Sequence, residues 1–118
     1  MAELHDKTLV MYSRTLSCPW ITLAKRVLSD YAVIYHELLI DKDPAARERL
    51  QQMVGYLSVP TLVVARQGEV VPYEVPVPLE GGASPRGIDR ESIITEPNAE
   101  QLIRWLVKHQ FITEAAAD

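Results

Sequence analysis

Two β-rich apolar runs separated by one helical pattern constrain this chain more than anything else in it. Residues 8–12, Thr-Leu-Val-Met-Tyr, form a short continuous apolar run of the kind that makes a buried strand. Residues 33–40, Val-Ile-Tyr-His-Glu-Leu-Leu-Ile, are rich in β-branched and aromatic side chains and make a second strand. Between them, from Pro19 to about Asp30, Ile21, Leu23, Ala24, Val27 and Leu28 recur at helical spacing, with Lys25 and Arg26 facing outward. Strand, helix and strand in this order close as two parallel strands joined by a right-handed crossover.

The pattern continues along the chain. Asp43 and Pro44 mark a helix start, as N-cap and first helical residue. That helix runs to about Val54 and stops at Gly55. Residues 61–65, Thr-Leu-Val-Val-Ala, form a third strand. Arg66-Gln67-Gly68-Glu69 reads as a hairpin turn leading to a fourth strand near Val70 and Val71. A last helix begins near Asn98, with Ile103, Leu106 and Val107 as its buried stripe and Lys108 and His109 at its favourable C-terminal end. The order β-α-β-α-β-β-α predicts an α/β fold: a four-stranded mixed sheet flanked by three helices. With 118 residues, 1–118 reads as one domain with one modest core. The segment 72–97 stands apart. Six of the eight prolines lie between Val59 and Pro97, and Gly81, Gly82 and Gly87 lie there too, so it reads as an irregular insertion, mostly loop. Loops of this length in compact domains are often functional. The EAAAD tail reads as a frayed end.

The one cysteine falls at the most informative place in this pattern. Cys18 follows the first strand and precedes Pro19, which suits a first helical position because no N–H is needed there. A thiol at a helix N-terminus faces unpaired N–H groups and the positive end of the helix dipole. Both favour thiolate, the reactive form. A lone cysteine is ordinarily a small buried hydrophobe, but this one lies beyond the carboxyl ends of the parallel strands, where open α/β sheets concentrate function.

Composition removes several classes. A net charge of −4 argues against nucleic-acid binding by phosphate neutralisation. No apolar stretch is long enough to span a membrane, so no membrane partner is expected. The opening MAELHDKTLVMYSR has acidic residues before its apolar run and no basic region, so it does not read as a secretory signal. A single cysteine excludes an internal disulfide and points to a reducing, cytoplasmic setting. His5, His36 and His109 are scattered, without ligand spacing, so no metal site is expected. There is no glycine-rich phosphate loop, no Gly-x-Ser-x-Gly turn and no internal repeat.

Three pieces together resemble the glutaredoxin family of the thioredoxin fold. LVMYSRTLSCPW is a strand, a loop and a Cys-Pro-aromatic helix start. VIYHELLIDKDPAARERL resembles the family's second strand and acidic second helix start. SVPTLVV resembles its Thr-Val-Pro motif, whose proline is cis. The similarity covers roughly residues 8–71 and then weakens.

The resemblance implies roles. Cys18 is the nucleophile. Val59, before the cis proline Pro60, pairs its backbone with the peptide-like backbone of bound glutathione, a small instance of strand addition. Arg14 falls where relatives carry a basic residue that holds a glutathione carboxylate, although a solvated loop arginine explains it equally well. Trp20 forms an aromatic wall beside the sulfur, or simply packs at the helix start. For the turn that receives the γ-glutamyl end, Gly81-Gly82-Ala83-Ser84 and Gly87-Ile88-Asp89-Arg90 compete. The second is preferred because Asp89 is a proper partner for an ammonium group.

The chain also departs from the family pattern. Dithiol relatives carry a second Cys where this chain has Ile21, so no internal thiol can resolve a Cys18 mixed disulfide. The resemblance is therefore to monothiol forms. Cluster-carrying relatives have Cys-Gly-Phe-Ser, and an iron–sulfur cluster needs four such ligands. Cys18-Pro19-Trp20-Ile21 lacks that glycine and serine, so a cluster is not favoured. The expected function is glutathione-dependent thiol–disulfide exchange on glutathionylated or disulfide-bearing proteins, with glutathione as co-substrate. The alternative is a non-enzymatic module of the same fold that binds glutathione, an iron–sulfur cluster or a protein partner.

Overall fold

A computed structural model describes residues 7–16, 18–74, 76, 84 and 86–113. The elements in chain order are β1 (Lys7–Ser13), α1 (Pro19–Asp30), β2 (His36–Leu39), α2 (Pro44–Val54), β3 (Thr61–Arg66), β4 (Ile93–Thr95) and α3 (Ala99–Lys108). They form one four-stranded sheet in the order β2-β1-β3-β4. β1 and β2 run parallel, with Val10 opposite His36 and Ser13 opposite Leu39. β3 lies antiparallel to β1, pairing Leu9 with Val64, and β4 lies antiparallel to β3, pairing Leu62 with Ile94. This is the thioredoxin-like α/β arrangement that the order of elements predicts.

The central strands are apolar on both faces because both faces are covered. Leu9, Met11, Leu62, Val64 and Ile94 point to one side, where Ala24, Val27 and Leu28 of α1 meet Leu102, Trp105 and Leu106 of α3. Val10, Tyr12, Val63, Ala65 and Ile93 alternate to the other side, against Ala46, Leu50 and Val54 of α2. Strict alternation along β1 and β3 thus serves two cores at once. Each fully buried Leu, Ile or Val stabilises the fold by roughly 1.5–3 kcal/mol relative to exposure.

The helix ends are closed by local chemistry. Asp43 Oδ1 accepts from the N–H groups of Ala45 (3.1 Å) and Ala46 (3.2 Å), and α2 ends at Gly55 in the left-handed region (φ +86°). Asn98 and Gln101 form a reciprocal capping box at the start of α3. α1 and α3 both finish in Schellman turns. Ala32 and Gln110 take the left-handed position, and the next residues, Val33 and Phe111, donate back to Leu28 O and Leu106 O.

Three expectations need correction. β2 is only His36–Leu39, because Val33 N–H is used in closing α1 and Ile34 turns out to solvent. The buried stripe of α3 is Leu102, Trp105 and Leu106; Ile103 and Val107 are only partly covered. The stripe follows Trp105, the largest side chain on the helix and essentially fully buried.

The fourth strand is Ile93–Thr95, inside the segment expected to be loop, and not near Val70 and Val71. The chain does turn back after Gly68 (φ +86°), and Pro72 forms a single bridge to Ala65. Pro72 has no N–H to extend that ladder, and the chain departs after Glu74. It returns at Ser92 to finish the edge. Val64 marks the junction: its C=O accepts from Tyr73 N (3.0 Å) and its N–H donates to Ser92 O (2.9 Å). Ser92 Oγ donates to Glu74 O (3.0 Å) and closes the neck. The edge position beside β3 is therefore shared by two stretches with an excursion between them.

Candidate functional site

The site grows from the carboxyl ends of the parallel strands. Ser13 ends β1, and its C=O accepts from Ile40 N at 2.9 Å, which fixes where the two strands stop together. The loop that follows is tied down by Thr15 N–H donating to Asp41 Oδ1 (3.0 Å). Burial alone would raise the Asp41 carboxyl, but the hydrogen bonds from Thr15 outweigh it and hold the group below its ordinary range.

Cys18 is the N-cap of α1. Its backbone is extended (φ −131°, ψ 167°), Pro19 takes the first helical position, and the side chain makes no capping hydrogen bond. Its C=O accepts from Thr22 N at 2.9 Å, so the first helical turn is complete around it. The sulfur is left without a capping hydrogen bond at the N-terminus of α1. The residue is a free thiol of intermediate exposure, packed on the apolar cluster that contains Tyr12, Ile21, Val59 and Val63.

Val59 and Pro60 enter the same neighbourhood from β3. The Val59–Pro60 peptide bond is cis, and both residues are buried. Pro60 C=O accepts from Glu96 N (2.8 Å). Thr61 Oγ1 lies 2.9 Å from both Ser58 O and Thr95 Oγ1. The proline turn is thus pinned to the end of β4. Cys18 and Val59 meet on one cluster, as the motif order suggests.

The other expected residues are distributed differently. Arg14 is exposed on the loop before Cys18 and forms no ion pair with a described residue. Trp20 is partly buried, and the guanidinium of Arg86 lies 5.9 Å from its ring centroid. Asp89 is engaged within the chain: Oδ2 meets Lys108 Nζ at 2.5 Å, and Oδ1 accepts from Glu91 N at 2.8 Å. Burial would lower the Lys108 ammonium, but the facing Asp89 and Glu91 carboxylates raise it above its ordinary value. Gly81, Gly82 and Ala83 lie outside the described residues, as do Ser17 and the EAAAD tail. Ser84 is exposed, and its Oγ accepts from Arg86 N at 3.2 Å.

Arg86 is the residue that sequence reasoning missed. It belongs to the returning leg of the excursion, which docks along β4 through the bridges Arg86–Thr95 and Asp89–Ile94. Gly87 N–H donates to Thr95 O at 2.6 Å with φ at +71°, and a Cβ there would meet the Gln101 side chain at 3.0 Å. A glycine is needed for both reasons. Arg86 also pairs with Glu96 (3.3 Å), whose own N–H is on Pro60. Farther along, Glu91 C=O receives Trp105 Nε1–H (2.8 Å) and lies 2.6 Å from His109 Nε2. No local motif marks Arg86, since its distant neighbours come from two separate parts of the chain, Trp20 and the Thr95–Glu96 pair.

Among the described residues, no group of three or more His, Cys, Asp or Glu side chains could hold a metal ion. No described helix is long and apolar enough to cross a membrane.

Comparison with known proteins gives three findings. No curated protein matches the chain. Among solved structures, a buckwheat glutaredoxin–glutathione complex is similar at 16% identity and a TM-score of 0.48, over 94% of this chain and 87% of that one. The glutaredoxin family model matches residues 9–71. That match starts in β1, takes in Cys18 and the Val59–Pro60 turn, and ends beyond β3; it spans more than half of the sequence, and the chain belongs to the glutaredoxin family.

Proposed function

We propose that this chain is a glutathione-dependent thiol–disulfide oxidoreductase that works through Cys18 alone. The observation that carries the proposal is an uncommitted thiol at the N-cap of α1, in a chain of the glutaredoxin family with no second cysteine. Residues 1–118 act in it as one domain, interrupted by the excursion between Glu74 and Ser92.

The chemistry runs in two exchanges. The Cys18 thiolate attacks the glutathionyl sulfur of a glutathionylated protein. The substrate S–S bond breaks, the protein leaves as a thiolate that takes up a proton, and Cys18 is left disulfide-bonded to glutathione. The thiolate of a second glutathione then attacks that glutathionyl sulfur. Glutathione disulfide leaves, and the Cys18 thiolate is restored. With Ile21 in the resolving position, the second thiol has to come from solution.

The remaining residues serve binding. The backbone of Val59, fixed by the buried Pro60 turn, pairs with the extended tripeptide. Trp20 walls one side of the sulfur. Arg14, exposed and free of ion pairs to described residues, is available to a carboxylate and adds positive potential near the thiolate. Asp89 would receive the ammonium group only by giving up Lys108, so its contribution is the smallest of the set.

Turnover of a glutathionylated peptide with excess glutathione, wild type against Cys18→Ser, tests the reading. Turnover that disappears in the variant is the expected result. A variant that still turns over ends the proposal, and so does a folded wild type that does not.

A further inference from the structure

We infer that Arg86, on the returning leg of the excursion between Glu74 and Ser92, is a specificity-determining residue of the Cys18 site and binds a carboxylate of the glutathionyl group presented to the thiol. The inference rests on the reading of Cys18 as the reacting thiol.

Position carries the argument first. Trp20 lies two residues after Cys18, in the first turn of α1, and the Arg86 guanidinium lies 5.9 Å from the centre of its ring, so a cation stands at the start of the helix that Cys18 caps. Two further elements hold it there. Glu96 meets one guanidinium nitrogen at 3.3 Å, and the Arg86 backbone is bridged to Thr95, with Gly87 N–H on Thr95 O at 2.6 Å. Glu96 N–H is itself bonded to Pro60 O. The guanidinium is therefore registered to the first turn of α1 through Trp20 and to the proline turn through Glu96.

Availability carries it next. The Arg86 side chain is 60% exposed. A guanidinium presents five N–H donors in a planar fork, and Glu96 occupies only part of that fork. The remaining donors suit a second carboxylate, which Arg binds with two parallel hydrogen bonds. The Trp20 ring and Glu96 hold the guanidinium from two sides before any ligand arrives, so less ordering remains to oppose binding.

Binding of S-methylglutathione, an unreactive thioether, followed by tryptophan fluorescence tests this without any turnover. The diethyl ester, which lacks both carboxylates, is the matched probe. Arg86→Gln should weaken binding of the acid form roughly tenfold, the size expected for one charge-assisted contact, and leave the ester unchanged. Arg104→Gln, an exposed arginine on α3, should change neither. The inference fails if Arg86→Gln binds the acid form as the wild type does. It fails if Arg14→Gln, and not Arg86→Gln, abolishes the preference for acid over ester. It also fails if the folded wild type binds neither probe. In each case Cys18-dependent turnover of the glutathionylated peptide would leave the proposed function standing, and only the absence of that turnover would remove both.

Discussion

On the β1–α1–β2 side of the molecule, the helix is closed at both ends by residues close in sequence. Thr22 closes the first turn on Cys18, and Val33 ends α1 on Leu28. On the β3–β4 side the sheet is completed by distant partners. Val64 N–H donates to Ser92 O, Trp105 Nε1–H reaches Glu91 O, and the Arg86 guanidinium lies 5.9 Å from the centre of the Trp20 ring. Both sides are buried and hydrogen-bonded. They differ in how far the chain must travel to find its partners. The region matched by the family model takes in β3 and ends at residue 71, before β4.

Three experiments would break or sharpen that contrast. The largest effect is expected from Trp105→Ala. It empties a fully buried site and releases Glu91 C=O, so urea unfolding should show a loss of about 3–5 kcal/mol. A loss well under about 3 kcal/mol would show that the β3–β4 side does not depend on this one side chain.

A smaller effect, opposite in sign, belongs to the locally built side. Ala32 holds the left-handed position of its Schellman turn at φ +54°. Ala32→Gly removes a steric cost of roughly 1 kcal/mol, and a rise in the unfolding midpoint is expected. The gain is reduced by the greater freedom of glycine in the unfolded chain. A lower midpoint would mean that the turn depends on more than its own residues.

The smallest effect is a pH dependence on the distant-partner side. Burial lowers His109 below its ordinary value and outweighs the Glu91 C=O, which acts to raise it. The folded state thus prefers the neutral ring. Above the unfolded value of about 6.5 the ring is neutral in both states and its contribution is fully present. As pH falls below that value, the unfolded chain takes up the proton first, and stability declines until the lowered folded value is passed. His109→Gln should flatten the unfolding midpoint between about pH 7.5 and 5.5 relative to wild type. An unchanged slope would remove His109 from the account.

The same division decides what the sequence could reveal. Asp43-Pro44, Gly55, Asn98 and Cys18-Pro19 are local signals, and each sits where its chemistry requires. The Cys18–Val59 neighbourhood was legible because two motifs lie on a fold whose strand order is fixed by the crossover. Ser92-Ile93-Ile94-Thr95 is a strand by composition, yet it lies in a stretch where proline and glycine dominate, and the weaker Val70-Val71 pair stood in the expected place. Arg86 had no signal at all. Its partners are Trp20, Thr95 and Glu96, and only the folded sheet brings Trp20 to the other two.

Val64 has a practical consequence. One residue binds both the point where the chain leaves the sheet and the point where it comes back, so the excursion interrupts a single rung. The pairings of Leu62 with Ile94 and Thr61 with Thr95 lie past that rung, and the returning leg bridges Ile94 and Thr95 through Asp89 and Arg86. Sequence added between Glu74 and Arg86 leaves the rung and both bridges in place, and doubling the length of a loop adds only about 0.6 kcal/mol to the cost of closing it. The junction is therefore a grafting port for foreign sequence of very different lengths.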